Sequence, residues 1–514
     1  MIGTTPFFRL LAHRRLAHLN ALDPVAAQSE QLMQLVRRAQ DTRFGQDHGF
    51  AQIKTVADFQ ERVPLRAYDD FWTDYWKEGY PNTPNMTWPG LTRFWALSSG
   101  TSSGTTKYIP CTMDMVASNK KAALDILCYQ LGQMPAFRPT DGKTFILGGS
   151  TDLSEPTPGF FAGDLSGIAA KTVPLWAKPF TFPPTTLSLI KDWEEKLDTL
   201  AKRSLTERIR VLSGTPIWLL LLFRKVQSLL DEAGVTDRAP FPHLQLLIHG
   251  GTSYAPYEEE TAPFLDRVGA GTREVYPASE GFLAIADRGN GEGLRLNMDI
   301  GLFFEFIPVE ELEAANPTRH WVGTLETGIN YAVALSSCAG VFSYLLGDVV
   351  RFVDRAPPRL VISGRTAYTL SAFGEHLIGE EIEGAILNAA KECGLHITEF
   401  SVGTTYGHQT NDSAAHTYFL ETASETKGAN IEALQNSLSE RIDQDLKDTN
   451  DDYLAHRKTG LTLKPPQVHI VPPNSFSAWM KARGKLGGQN KVPRVINDRA
   501  LFENLSAFMI QRAP

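Results

Sequence analysis

Cysteine is scarce, with four in 514 residues. Cys111, Cys128, Cys338 and Cys393 are far apart, none in a C-x-x-C pair and none at metal-ligand spacing from a histidine. That excludes a disulfide framework and a zinc site, and leaves small buried hydrophobes of a reducing compartment. Long apolar runs are missing too. The longest, "IWLLLLF" at 217–223, falls far short of the ~20 residues that cross a bilayer. There is no excess of positive charge: the net charge is −8, which argues against a dedicated nucleic-acid binder. Neither a low-complexity tract nor an internal repeat is present. Acid is lacking before Asp23, where Arg9, Arg14 and Arg15 give the look of a transit peptide. Phe7, Phe8, Leu11, Leu16 and Leu19 nevertheless suit an amphipathic helix, and the same pattern continues through 32–38. The expected location is therefore the cytoplasm, with no membrane association.

What is present is an ordinary globular composition, 42% hydrophobic and 21% charged, over a length that calls for two or three domains. Strand-like runs at 144–150, 244–251 and 303–309 are bounded by glycine or proline. Helical patterns lie between them at 113–131, 186–203 and 216–232. Such alternation predicts an α/β fold: a large N-terminal domain of mixed β-sheets flanked by helices. Beyond "LVISGR" (360–365) the texture changes to a smaller α+β domain. Its expected helices are at 379–393 and 430–447, and its strands at 399–405, 416–421 and 467–471. The boundary is drawn at Arg365, giving domains 1–365 and 366–514.

One stretch is chemically unusual. "SSGTSSGTTK" (98–107) holds two glycines, four serines, three threonines and a lysine between two apolar strands. The glycine spacing does not fit the Walker A loop. Gly100, Ser102 and Gly104 do satisfy G-x-S-x-G, the nucleophile elbow of α/β-hydrolases, and "HGGTS" (249–253) looks like their oxyanion loop. An elbow leads from strand directly into helix, however, whereas "TTKYIP" reads as extended and the next helix starts no earlier than Thr112, a suitable N-cap. The alternative is a strand–loop–strand element whose N–H groups and hydroxyls wrap a polyphosphate, with Lys107 adding a point charge.

This loop resembles the phosphate loop of the adenylate-forming superfamily, which includes acyl-CoA synthetases and luciferases. Five further fragments resemble that superfamily's motifs in the same order: "GGTS" (250–253), "YPASE" (276–280), "YLLGD" (344–348), "GRTAYTLSAFGEHLIGEEIE" (364–383) and "NKVPR" (490–494). The wording of "SSGTSSGTTKYIP", "GTPIWLLLLF", "YPASEGF" and "GQNKVPRV" is closer still to the Gretchen Hagen family of acyl acid amido synthetases, over nearly the whole chain. Ala367, Ser371 and Asn490 depart from the superfamily pattern.

The resemblance implies a two-step ligase using ATP and Mg²⁺. A carboxylic acid would be adenylated with loss of pyrophosphate, and an amine, such as an amino acid, would then displace AMP. It assigns phosphate contacts to Ser98, Ser99, Thr101, Ser102 and Lys107. Nucleotide contacts fall to Gly251, Tyr276 and Ser279, with Tyr276 against the adenine. Glu280 would hold Mg²⁺, and Asp348 would meet the ribose with Arg365 assisting. Lys491 would be the lysine of a mobile C-terminal lid, with Lys485 in reserve, on a segment that has no acid from Asn474 to Asn497. Trp95, Trp218 and Tyr254 suit either an acyl pocket or the core. The expected partners are small molecules only, and the expected state is a monomer or weak dimer. A serine esterase using Ser102 and a non-catalytic nucleotide-binding protein remain as alternatives.

Overall fold

The computed structural model describes residues 5–512 except 100–105, 149–152, 185–186, 188–189, 191–192, 236, 252–253, 313, 367–369, 371–376, 407–413, 425–429, 451–452, 455–456, 458–462 and 487–490. The chain forms two compact units. The larger comprises Met1–Ser99, Thr106–Leu346 and Val350–Val361; the smaller takes Gly347–Val349 and Ile362–Pro514. Asp348 and the last residues of the Pro358–Arg365 strand therefore go with the smaller unit.

The large sheet has eleven strands among the described residues. Five run parallel at one end, in the spatial order Thr181–Phe182, Lys143–Leu147, Ile209–Gly214, Leu246–Gly250 and Gly271–Ala278. Helices Trp193–Ser204, Pro216–Glu232 and Ala255–Asp266 precede the Ile209–Gly214, Leu246–Gly250 and Gly271–Ala278 strands in the chain and pack on one face. Parallel strands covered on both faces are apolar throughout, because successive side chains enter different layers. Leu212 and Leu247 face these helices, while Val211, Leu246 and Ile248 face a second core that includes Met115, Ala122 and Ile126 of the Met113–Gln133 helix. At Gly281–Ile285 the sheet turns antiparallel. It continues through Leu294–Leu296, Pro358–Arg365, Val341–Arg355, Asn330–Ser337 and Leu302–Pro308. A separate four-stranded sheet carries Phe94–Ser99 and Thr106–Cys111.

The arginines near the N-terminus belong to this packing. The helix Thr5–Ala21 is tied down by Arg15, which donates to Asp125 at 2.7 Å and to Asp299 at 2.6 Å. The apolar run 217–223 opens the Pro216–Glu232 helix, with Pro216 at its first position and Leu219, Leu220, Leu222 and Phe223 buried. Among the described residues no helix is long and apolar enough to cross a membrane.

The smaller unit is a four-stranded sheet between two helical layers. Its strand order is Gln467–Val471, Ala414–Thr422, Ile397–Tyr406, Val495–Ile496. Tyr418 and Leu420 point into a core with helices Gly379–Glu392 and Ile431–Thr449, whereas Phe419 packs with Ser475–Ala482 and Arg499–Ile510. The expected elements of this region are all present. In the larger unit, the pattern at 186–203 includes the helix Trp193–Ser204, while 186, 188–189 and 191–192 lie outside the described residues.

Candidate active site

The hydroxyl-rich loop springs from a hairpin. Phe94–Ser99 and Thr106–Cys111 pair antiparallel, with Ser98 opposite Lys107 and Ser99 opposite Thr106. Thr101 and Ser102 lie outside the described residues. The helix that follows starts at Met113, and the Thr112 hydroxyl accepts from the Met115 N–H as its N-cap. This geometry corrects the serine-esterase alternative: the strands on either side of the segment carrying Ser102 pair with each other and the helix begins only at Met113, whereas a nucleophile elbow leads from strand directly into helix. Lys107 Nζ stands 5.5 Å from the ring centroid of Tyr68, within cation–π reach, and the Tyr68 hydroxyl accepts the Tyr108 N–H at 3.0 Å. Tyr68 was not anticipated. Its surroundings, "PLRAYDDFW", read as generic aromatic packing, and nothing local ties them to a loop forty residues away.

The glycine pair sits at the carboxyl end of a parallel strand, where ligands of open α/β sheets gather. Gly250 lies beside Val275, and a Cβ on it would be 2.2 Å from the Val275 carbonyl oxygen. Gly251 follows at φ +84°, a conformation glycine adopts without penalty. Gly251 and Tyr276 are thus brought to neighbouring strands, with Tyr276 buried in the core. Ser279 and Glu280 form the two-residue turn between Gly271–Ala278 and Gly281–Ile285. Glu280 is buried, and its carbonyl accepts from Ser337 Oγ at 2.8 Å. Next to the pair, His249 stacks on Tyr254 with centroids 4.0 Å apart. Burial pushes the His249 imidazole down to about 4, against an opposing influence of Asn290, so it is neutral at physiological pH.

Of the aromatic residues open to two roles, Trp95 is fully buried and donates to the Pro81 carbonyl at 3.0 Å. Tyr254 is buried, with its hydroxyl 2.5 Å from Thr261 Oγ1. Both are core residues.

In the smaller unit Asp348 lies inside the long strand Val341–Arg355, preceded by Gly347 at φ +83°. Its Oδ1 accepts from Arg365 Nε at 2.6 Å. Thr366 Oγ1 donates to the Gly347 carbonyl at 3.3 Å, and Gly364 approaches Gly379 so closely that a Cβ would be 3.0 Å from its nitrogen. Lys491 shares this neighbourhood. The residue retains exposed surface, yet crowding of its ammonium by protein pushes it down to about 8, aided by Arg365 and Arg494 and opposed by Asp348. Lys485 instead closes the Ser475–Ala482 helix, its N–H donating to the Met480 carbonyl. Ala367 and Ser371 lie outside the described residues.

Among the described residues no three His, Cys, Asp or Glu side chains are grouped to hold a metal. A lone buried carboxylate such as Glu280 suits Mg²⁺, which takes one or two carboxylates and completes its shell with phosphate and water.

Residues 17–145 match the GH3 family N-terminal domain, 296–365 the GH3 family central domain and 380–500 the GH3 family C-terminal domain, together more than half of the chain. The chain belongs to the GH3 family. It is 25% identical over 211 residues to the jasmonoyl–L-amino acid synthetase GH3.5 of Oryza sativa subsp. japonica, covering 38% of this chain and 35% of that protein. It is 22% identical over 215 residues to the indole-3-acetic acid-amido synthetase GH3.3 of Arabidopsis thaliana, covering 40% and 36%. The chain thus aligns with little more than a third of the length of these relatives. The GH3 fold extends further. The structure of AtGH3.15 acyl acid amido synthetase in complex with 2,4-DB superimposes with a TM-score of 0.78 at 16% identity, covering 97% of this chain and 96% of that one. A 2-hydroxyisobutyryl-CoA ligase in complex with 2-HIB-AMP gives 0.62 at 16% identity, covering 95% and 92%.

Proposed function

We propose that this chain is an AMP-forming acyl acid amido synthetase that adenylates a carboxylic acid and passes the acyl group to an amine. The observation that carries this reading is the hairpin that sets Ser98 across from Lys107. That register sets a hydroxyl and an ammonium on paired strand positions, a donor set suited to an anion. The names of the relatives, an L-amino acid synthetase and an amido synthetase, motivate an amino acid as the amine.

In the first step a carboxylate oxygen attacks the α-phosphorus of ATP, and the bond to pyrophosphate breaks. The burden on the protein is electrostatic: negative charge must be neutralised and the attacking oxygen held in line. Ser98, Ser99, Thr101, Ser102 and Lys107 hold the phosphates. Gly251, Tyr276 and Ser279 bind the nucleoside, and Asp348 accepts from the ribose hydroxyls while Arg365 fixes its carboxylate. Mg²⁺ held by Glu280 would neutralise phosphate charge. Lys491, on a mobile lid formed by 366–514, supplies a positive charge at the α-phosphate. In the second step the amine nitrogen attacks the acyl carbon, AMP leaves, and the nitrogen loses a proton to give the amide.

Incubation with ATP, Mg²⁺ and a panel of aryl and aliphatic acids, with hydroxylamine as acceptor, tests this. The expected products are a hydroxamate, AMP and pyrophosphate in equal amounts, and an amide when an amino acid replaces hydroxylamine. Release of ADP, or ATP-independent ester hydrolysis lost in Ser102→Ala, would contradict the reading.

A further inference from the structure

Lys107 stands opposite Ser98 in the hairpin, and among the described residues no carboxylate forms an ion pair with its ammonium. The ammonium meets an aromatic face instead, that of Tyr68, with Nζ 5.5 Å from the ring centroid. The two kinds of partner differ in consequence. A carboxylate would hold the ammonium but would also compete with an incoming anion for it. A ring face attracts the cation through its quadrupole and leaves the positive charge for another partner.

Tyr68 is itself held from several directions. It is buried, and its ring lies 6.0 Å from that of Trp72 and 6.2 Å from that of Trp76. Trp72 also stacks on Tyr108, the residue after Lys107, with centroids 5.7 Å apart. The Tyr68 hydroxyl accepts the Tyr108 N–H at 3.0 Å. Among the described residues Thr106–Cys111 is an edge strand of its sheet, so this bond occupies a backbone donor on the open side of the strand. Two residues before Tyr68, the Arg66 N–H donates to the Ser343 carbonyl at 3.0 Å, and the Arg66 carbonyl accepts from the Leu345 N–H at 2.9 Å. The ring beneath Lys107 is thereby fastened to the Val341–Arg355 strand of the large sheet. A lysine side chain loses much rotamer freedom when it closes on a ligand. Resting its ammonium on a fixed ring removes part of that loss beforehand.

We propose that Tyr68 is a positioning residue: its ring holds the Lys107 ammonium ready for an anion, and its hydroxyl holds the strand that carries it. That the anion is the polyphosphate of ATP rests on the ligase reading; the placement of Lys107 on Tyr68 does not. Tyr68 touches no substrate in this account and acts through Lys107.

The first measurement is carbon–proton NMR of the full-length protein, its lysines reductively methylated with ¹³C-formaldehyde, which keeps their charge. The Lys107 methyl signal is assigned by its loss in Lys107→Arg. The ring current of Tyr68 should place it upfield of the signals of exposed lysines. It should stay there in Tyr68→Phe, which keeps the face, and move to the exposed position in Tyr68→Leu. An unshifted signal in the unsubstituted protein overturns the proposal, whether or not the leucine variant folds. The second measurement is calorimetric binding of inorganic pyrophosphate in a double-mutant cycle. Tyr68→Leu should weaken binding about two- to fivefold, the scale of one cation–π contact, and should add nothing in the Lys107→Ala background. Equal weakening in both backgrounds is the mark of a merely structural role and overturns the proposal. If Lys107→Ala leaves pyrophosphate binding unchanged, it is the phosphate role given to Lys107 by the ligase reading that fails, and the NMR shift alone decides its placement on Tyr68.

Discussion

Two adjacent glycines do different work at the carboxyl end of the Leu246–Gly250 strand. Gly250 is required by a close approach to the Val275 carbonyl oxygen, Gly251 by its left-handed backbone. Gly250→Ala is therefore expected to force the Leu246–Gly250 and Gly271–Ala278 strands apart. Thermal or urea denaturation should report a loss of about 1–3 kcal/mol, the usual range for overpacking. Lys491 carries the residue-scale prediction for pH. Its ammonium is charged below about 8 and neutral above, so the adenylation rate should fall as pH rises through that value. Lys491→Arg keeps the charge at any working pH, and should move the fall upward. A profile unchanged by that substitution would remove Lys491 from the step.

At the scale of elements, the hairpin and the helix after it are joined by one capping residue. The Thr112 hydroxyl accepts from the Met115 N–H and donates to the Cys338 carbonyl. Thr112→Ala removes the cap and strands a buried acceptor, so a loss of about 1–2 kcal/mol is expected in chemical denaturation. This boundary was legible in the sequence because Pro110 and Thr112 carry local signals. The helix Pro216–Glu232 and the strands of the smaller unit were legible for the same reason. Of the antiparallel half of the large sheet only the Leu302–Pro308 strand was legible, read at 303–309. Val341–Arg355 is buried over much of its length, so it shows no alternation, and "LLGD" reads as a turn although Asp348 lies within the strand. The Asp348–Arg365 pair was anticipated from the motif order, whereas Tyr68 beneath Lys107 was invisible because tertiary contact alone brings it there.

The whole molecule divides the residues proposed for the ligase site between two units with separate cores. The larger holds Ser98, Lys107, Gly251, Tyr276, Ser279 and Glu280; the smaller holds Asp348, Arg365 and Lys491. No disulfide is present among the described residues, and Cys111, Cys128 and Cys338 are buried. The central claim is that these residues activate a carboxylate with ATP. Acid-dependent exchange of labelled pyrophosphate into ATP tests it most directly, measured for the unsubstituted chain, Ser102→Ala and Asp348→Ala. The account predicts exchange that survives the loss of the serine hydroxyl and falls at least ~100-fold without the Asp348 carboxylate, about the cost of leaving buried polar partners unmatched. Exchange that requires Ser102 yet is indifferent to Asp348 would contradict it.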